Sequence, residues 1–315
     1  MSEKYHNLVS VIIPSKNRPE FLSNAIESVR NQTYRPIELI IIDDGSDQPI
    51  NSKVKELNDR EFSIQIIRNH PSKGVAAARN QGIKQSKGKW VAFLDDDDEW
   101  IKNKLERQVD ELSNSTNKTI RGASCHLIQQ DENKKPIFKV AHHFRREQII
   151  GDLLYADNNL EPATLMIERI VFEEIGYYKE NFPTAEDREW LLRYLVNNNI
   201  HVVDEYLVVI TQHTGERLTL NHQKMMMGEA LFLDSVKSYV RRLNGNHNKA
   251  IGYRYAKYAH ETILAGFYVK SIGLYFKSIC CYPLGFRATA GFFVALLGPK
   301  YYRRILSLRM KRLQN

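Results

Sequence analysis

Trp90-Val91-Ala92-Phe93-Leu94-Asp95-Asp96-Asp97-Asp98-Glu99-Trp100 is an apolar run that stops at four consecutive carboxylates. A short apolar run cut off by a polar turn is the pattern of a strand buried on both faces of a parallel sheet. In open α/β sheets, ligands bind just outside the carboxyl ends of such strands. Adjacent carboxylates repel one another unless solvent or a cation relieves them. Mg²⁺ and Mn²⁺ take oxygen ligands and commonly join a carboxylate to a phosphate. The stretch therefore reads as a cation site for a phosphorylated substrate or as a solvated acidic loop. Its surroundings favour the first.

Upstream, strand and helix patterns alternate. Residues 8–13 are a β-branched run that Pro14 is expected to stop. Residues 19–31 place Phe21, Leu22, Ala25, Ile26 and Val29 at helical spacing, with Pro19 suited to a first helical turn. Residues 37–42 form a second strand, ended by Asp43-Asp44-Gly45-Ser46, and a polar helix is expected over 50–58. A third strand over 62–67 and an Ala-rich helix over 74–85 lead to the strand at 90–94. Four alternations predict a parallel, doubly wound sheet and a nucleotide-binding half.

Downstream the pattern loosens. A helix is expected over 101–117, two antiparallel strands within 120–140, and a strand over 162–166. Short helices are expected at 170–175 and 186–197, and a strand over 201–210. From about residue 220 the chain reads as long helices: 225–243, then a hairpin of 249–271 and 272–281 in which Gly266 and Gly273 permit close approach. The apolar run 286–297 is too short to cross a bilayer, which needs about 20 residues. Lys300, Arg303, Arg304, Arg309, Lys311 and Arg312 follow it, so the tail reads as a core helix with a solvated end or as a segment lying on an anionic membrane surface.

The chain has 315 residues, 43% apolar and 26% charged, with a net charge of +8. That is globular, long enough for one large domain with an appendage, and consistent with an anionic partner. Cys125, Cys280 and Cys281 fit neither a zinc spacing nor a disulfide framework, which points to a reducing cytoplasm. The first seven residues lack the apolar core of a signal peptide. No phosphate-cradling G-x-x-x-x-G-K-[ST] loop is present, which argues against a phosphoryl-transfer enzyme, and no nucleic-acid motif is present, so a nucleic-acid partner is not expected.

Five segments in order resemble the inverting family 2 glycosyltransferases of GT-A fold. They are Val9-Ser10-Val11-Ile12-Ile13-Pro14-Ser15-Lys16-Asn17-Arg18, Ile41-Ile42-Asp43-Asp44-Gly45-Ser46, Gly74-Val75-Ala76-Ala77-Ala78-Arg79-Asn80, Phe93 to Trp100, and Ala185-Glu186-Asp187-Arg188-Glu189-Trp190-Leu191. The match spans about 8–215. It implies a mostly parallel central sheet with helices on both faces in a transferase domain over 1–219, and a helical C-terminal region over 220–315.

The resemblance also implies roles. Pro14, Ser15, Asn17, Arg18, Asp43, Asp44, Arg79, Asp95 and Asp96 are expected to bind a nucleotide-sugar donor, with UDP as its nucleotide. Asp97 is expected to ligate Mn²⁺ or Mg²⁺ with help from His213, and Arg217 to neutralise the diphosphate. The register is open, because Asp96 with Asp98 is a competing alignment of the Asp-x-Asp motif. Asp187 is expected to be the catalytic base, with Glu186 contacting the acceptor. A helix N-terminus favours negative charge there, although Asp is also an ordinary helix cap. The expected acceptor is a saccharide or lipid-linked saccharide, in cell-surface polysaccharide assembly at the inner face of the membrane. A non-catalytic nucleotide-sugar or glycan-binding subunit on the same fold is the alternative.

Overall fold

A computed structural model of the chain describes residues 7–156, 160–213, 220–302 and 304–305. The chain divides into two compact units. One comprises 1–149, 158–180 and 193–214; the other comprises 150–157, 181–192 and 215–315.

Among the described residues, the first unit is built on one sheet of nine strands. Strands β1 (Val9–Ser15), β2 (Ile37–Asp44), β3 (Phe62–Asn69) and β4 (Trp90–Phe93) run parallel in the order β3-β2-β1-β4. Every residue of β2 and β4 is buried, as their apolar runs require, and Glu38 within β2 is buried with its Oε1 accepting from Ser10 Oγ. The connecting helices α1 (Pro19–Arg30) and α2 (Val75–Gln85) fall where the periodicity puts them. Between β2 and β3 the expected polar helix is a 3₁₀ segment, Ser52–Leu57.

Pro14 does not end β1, which runs on to Ser15 and pairs Pro14 with Ile42. Ile12 offers its carbonyl to Leu94 on the β4 side. By alternation Pro14 faces that same side, past the last β1–β4 pair at Ile12 and Phe93. Its missing N–H therefore deletes no ladder bond.

Beyond β4 the sheet turns mixed. Its order continues through β8 (Met166–Glu168), β6 (Ile120–Asp131), β9 (Asn199–Gln212) and β5 (Asp98–Trp100), while β7 (Pro136–Val140) pairs with β6. The expected strand at 162–166 is instead a 3₁₀ turn, Pro162–Thr164, followed by the three residues of β8. The acidic run is not wholly a loop. Asp98 begins β5, antiparallel to β9 with Asp98 opposite Ile210 and Trp100 opposite Val208. Trp100 is buried, its indole N–H donates to the Ala163 carbonyl at 2.9 Å, and the Lys104 ammonium lies 4.0 Å from its ring. Helix α3 (Lys104–Asn114) follows, its start held by Gln32, which bonds both Leu105 N–H and the Ile101 carbonyl.

Helices α4 (Arg146–Tyr155), α5 (Ile170–Ile175) and α6 (Glu186–Asn197) complete the region before β9. The second unit carries α7 (His222–Tyr239), α8 (His247–Leu264), α9 (Tyr268–Cys281) and α10 (Phe286–Leu296). Asn221 and Asn246 cap α7 and α8 by accepting from Lys224 and Lys249 N–H. The break between α8 and α9 falls at Ala265-Gly266-Phe267 rather than at 271. Gly266 adopts φ +96°, a left-handed conformation that ends the helix. Neither Gly266 nor Gly273 sits at a close approach. That role belongs to Gly252, where a Cβ would lie 2.7 Å from Tyr282 Cβ, and to Gly291, where it would lie 2.5 Å from the Tyr275 ring.

Candidate functional site

The carboxyl ends of β1, β2 and β4 and the start of β5 gather the polar residues of the first unit. Leu94, Asp95, Asp96 and Asp97 separate β4 from β5, and the Asp98 N–H closes a turn onto the Asp95 carbonyl. Alternation then splits the run. The side chains of Asp95 and Asp97 retain 35% and 15% exposure, Asp96 retains 7%, and Asp98 is buried.

Each open carboxylate meets a cation. Arg79 Nη2 lies 2.6 Å from Asp95 Oδ1. Arg79 is no surface arginine on α2; it is buried among the small residues of that helix. Arg18 Nη1 reaches two carboxylates at once, Asp96 Oδ1 at 3.1 Å and Asp97 Oδ2 at 2.9 Å. Ser15 Oγ donates to Asp96 Oδ2 at 2.8 Å. Burial pushes the Asp96 carboxyl up to about 6, against the opposing pull of Ser15 and Arg18. His213, at the end of β9, places Nε2 2.8 Å from Asp97 Oδ2, and the ring packs on Phe21 with centroids 4.8 Å apart.

The β2 turn faces inward. Asp44 accepts from Asn69 Nδ2, Ser72 Oγ, Lys73 N–H and Gly74 N–H, at 2.6–3.0 Å. Burial alone would raise its carboxyl, but these four bonds more than offset it and hold the group below its ordinary range. Asp43 accepts the Ser46 N–H at 2.9 Å and faces Arg68 Nε at 3.7 Å. Asn17, at φ +56°, ties the loop after β1 to the one after β2: its N–H donates to Ser46 Oγ and its side chain exchanges bonds with Asp47. Asn80 clasps Tyr178 N–H and carbonyl, a positioning role for that helix face.

Asp187 and Glu186 open α6 in the second unit. Glu186 is buried and Asp187 is half-buried, its Oδ1 accepting the Arg188 N–H at 2.8 Å. Ala185, immediately before, has φ +68°, a conformation uncommon for a residue with a side chain. Arg217 lies outside the described residues, as do Arg303 and residues 306–315 of the basic tail.

Asp97 offers an anionic oxygen of the kind Mg²⁺ and Mn²⁺ take, and the His213 imidazole nitrogen lies 2.8 Å from it. Among the described residues no group of three or more His, Cys, Asp or Glu is arranged to hold a cation by itself. Arg68, Asn69, Ser72 and Lys73 join the acidic turn at β2 because β3 runs to Asn69, two residues beyond the expected strand at 62–67, before His70-Pro71 ends it.

A family model described as Glycosyl transferase family 2 matches residues 10–173. The chain belongs to glycosyl transferase family 2, and it is a glycosyltransferase of GT-A fold. Among its relatives is the UDP-Glc:α-D-GlcNAc-diphosphoundecaprenol β-1,3-glucosyltransferase of Escherichia coli, 45% identical over 197 residues that cover 62% of this chain and 73% of the relative. Solved structures resemble it in fold. One is residues 1–349 of S. aureus TarS, with TM-score 0.63 and 16% identity over 94% of this chain and 91% of that one. Another is a mannosyltransferase from Pyrobaculum calidifontis in complex with GDP-Man and Mn²⁺, with TM-score 0.54 and 15% identity over 93% and 87%.

Proposed function

We propose that this enzyme moves a sugar from a nucleoside-diphosphate donor, a UDP-sugar, to an acceptor hydroxyl with inversion at the anomeric carbon. The observation that carries the reading is the joined set Ser15–Asp96–Arg18–Asp97–His213, with Arg79 on Asp95 beside it. Its guanidiniums lie at the carboxyl ends of parallel strands, where a diphosphate is expected. Pro14, Ser15, Asn17, Arg18, Asp43, Asp44, Arg79, Asp95 and Asp96 are assigned to the donor. The exposure of Asp95 and Asp97 over Asp96 and Asp98 supports the first register of the acidic motif.

Asp97 and His213 would hold Mn²⁺ or Mg²⁺, which when bound neutralises charge on the departing diphosphate. Arg18 and Arg79 bring fixed positive charge to the same leaving group. Asp187 accepts the hydroxyl proton as the acceptor oxygen bonds to the anomeric carbon and the bond to the diphosphate oxygen breaks. It lies in the first turn of α6. Glu186 orients the acceptor. The transferase domain is taken as 1–219, with 220–315 as the helical region.

The names of the similar proteins support the substrate classes. The E. coli relative is named for UDP-Glc and a diphosphoundecaprenol-linked sugar, and TarS has been solved with UDP and with UDP-GlcNAc. A lipid-linked saccharide acceptor places the enzyme at the cytoplasmic face of a membrane, in cell-surface polysaccharide assembly. Among the described residues no helix is long and apolar enough to cross a membrane. The last 54 residues carry nine Lys or Arg and no Asp or Glu, so the first 261 stand at −1 against +8 for the whole chain. Within that stretch Val269, Phe276, Phe286, Phe293 and Leu297 are exposed alongside Lys270, Lys277, Arg287 and Lys300. Apolar side chains interleaved with uncompensated cations suit an anionic lipid surface.

The test is release of nucleoside diphosphate from UDP-, GDP- and dTDP-sugars with Mn²⁺. The wild type should show donor-dependent release that both Asp187→Asn and Asp97→Asn lose. Absence of release from every donor, or full release by Asp187→Asn, overturns the reading.

A further inference from the structure

We propose that α7 and α8 are the positioning element for the turn that carries Asp187, an inference that rests on Asp187 being the base. The turn is Thr184-Ala185-Glu186-Asp187-Arg188. Its backbone is strained at Ala185, and such a conformation persists only where the surroundings impose it. Two contacts, one on each side of Ala185, do so, and both are made with α7.

Before Ala185, Thr184 is pressed against Gly228. A Cβ at position 228 would stand 2.1 Å from Thr184 Oγ1 and 2.6 Å from the Thr184 carbonyl oxygen, and Thr184 Oγ1 donates to the Lys224 carbonyl at 3.3 Å. After Asp187, Arg188 Nη2 donates to Glu229 Oε1 at 2.7 Å, and its guanidinium lies 4.7 Å from the Phe232 ring centroid. Residues 224, 228 and 232 share one face of α7, with 229 beside it. That face is the seat of the turn.

The seat is itself pinned. Glu229 is wholly buried, and its Oε2 faces Arg254 Nη1 of α8 at 3.8 Å. Arg254, also wholly buried, donates from Nη2 to the Leu153 and Ala156 carbonyls at 2.7 and 2.8 Å and from Nε to that of Leu154 at 3.3 Å. It shares the Phe232 ring with Arg188, at 5.0 Å. A carboxylate held between two guanidiniums in a dry environment is a poor source of stability, because desolvation opposes the attraction. It does fix one geometry. The chain Arg254–Glu229–Arg188 thus ends one residue from Asp187, and Arg188, Gly228, Glu229 and Arg254 act through it as positioning residues.

The experiment compares Gly228→Ala, Glu229→Gln and Asp187→Asn in the full chain. It measures UDP release from UDP-glucose with Mn²⁺, with kcat expressed per folded molecule from near-ultraviolet circular dichroism. Gly228→Ala displaces Thr184, and Glu229→Gln keeps the shape but removes the charge between the arginines. Each should lower kcat at least tenfold with KM for UDP-glucose within twofold of wild type, and Arg188→Lys, which keeps a cation opposite Glu229, should retain more kcat than Arg188→Met. A merely structural role would lower the folded fraction and leave kcat per folded molecule unchanged. Wild-type kcat in Gly228→Ala and Glu229→Gln, with Asp187→Asn inactive, overturns the positioning role and leaves the base assignment standing. Activity in Asp187→Asn overturns the base assignment itself.

Discussion

Replacing Asp96 by Asn should produce a stability difference from wild type that grows as pH rises. Asp96 is buried at the acidic corner, and its carboxyl is pushed from 3.8 to about 6. Burial raises it, and Ser15 and Arg18 only partly restore it. At roughly 1.4 kcal/mol per unit, this displacement amounts to about 3 kcal/mol. A carboxyl raised in the folded protein gives its stability below the unfolded value and loses it as pH climbs through the folded one, here between 3.8 and about 6. Asparagine cannot titrate. The unfolding free energy of Asp96→Asn minus that of wild type should therefore increase by about 2 kcal/mol between pH 4.5 and 7.5. The assay is urea denaturation followed by circular dichroism at four pH values across that range, with EDTA present so that no cation biases the carboxyl. Titrating groups remote from the corner cancel in the difference, the coupled Asp95 and Asp97 add a smaller contribution, and the altered bond to Arg18 adds a constant offset. A difference that stays flat with pH would refute the claim that ionised Asp96 is held against its own burial.

Asp44→Asn acts in the opposite sense. Its carboxyl is depressed by four hydrogen bonds, so the variant should be less stable by about 1–3 kcal/mol at pH 7, and the two proteins should converge as the pH is taken below 3.8; an equal gap at pH 7 and pH 3.5 would exclude this. Gly82→Ala places a Cβ 2.5 Å from Cγ2 of the fully buried Ile12, so despite its better helix propensity it should lower the melting temperature, by an overpacking cost of about 1–3 kcal/mol. The full chain should sediment with vesicles containing phosphatidylglycerol at low salt and be released by 1 M NaCl, because an attraction of basic groups to a charged surface is screened there; equal binding to pure phosphatidylcholine would remove the electrostatic part of the membrane reading.

The parallel half of the fold was legible because its signals are local. Runs such as Ile40-Ile41-Ile42 and the spacing of Leu22, Ala25, Ile26 and Val29 need no distant partner to be read. Helix α4 carried a readable signal too, in Ile149, Ile150, Leu153 and Leu154, but it lay between weakly patterned segments. Strand β5 had none: three residues beginning with an aspartate become a strand only because β9, more than a hundred residues later, offers an edge. The same long-range pairing decides which aspartates stay open, so the residue types of the corner could be named while their exposure could not. Ala185 illustrates the opposite limit. Its positive φ comes from contacts that α7 makes with both flanks, and alanine itself announces nothing.

The four aspartates at 95–98 are interchangeable in chemistry, so they cannot tell the chain which two to present. The choice is made by Trp100. Sliding β5 one place along β9 would trade one aspartate for another at no chemical loss, but it would also turn the indole outward, break its bond to Ala163 and carry Glu99 into the interior. The aromatic therefore works as an index pin for a degenerate run. A change at position 100 would be felt as a scrambled choice of carboxylates before it was felt as a missing side chain.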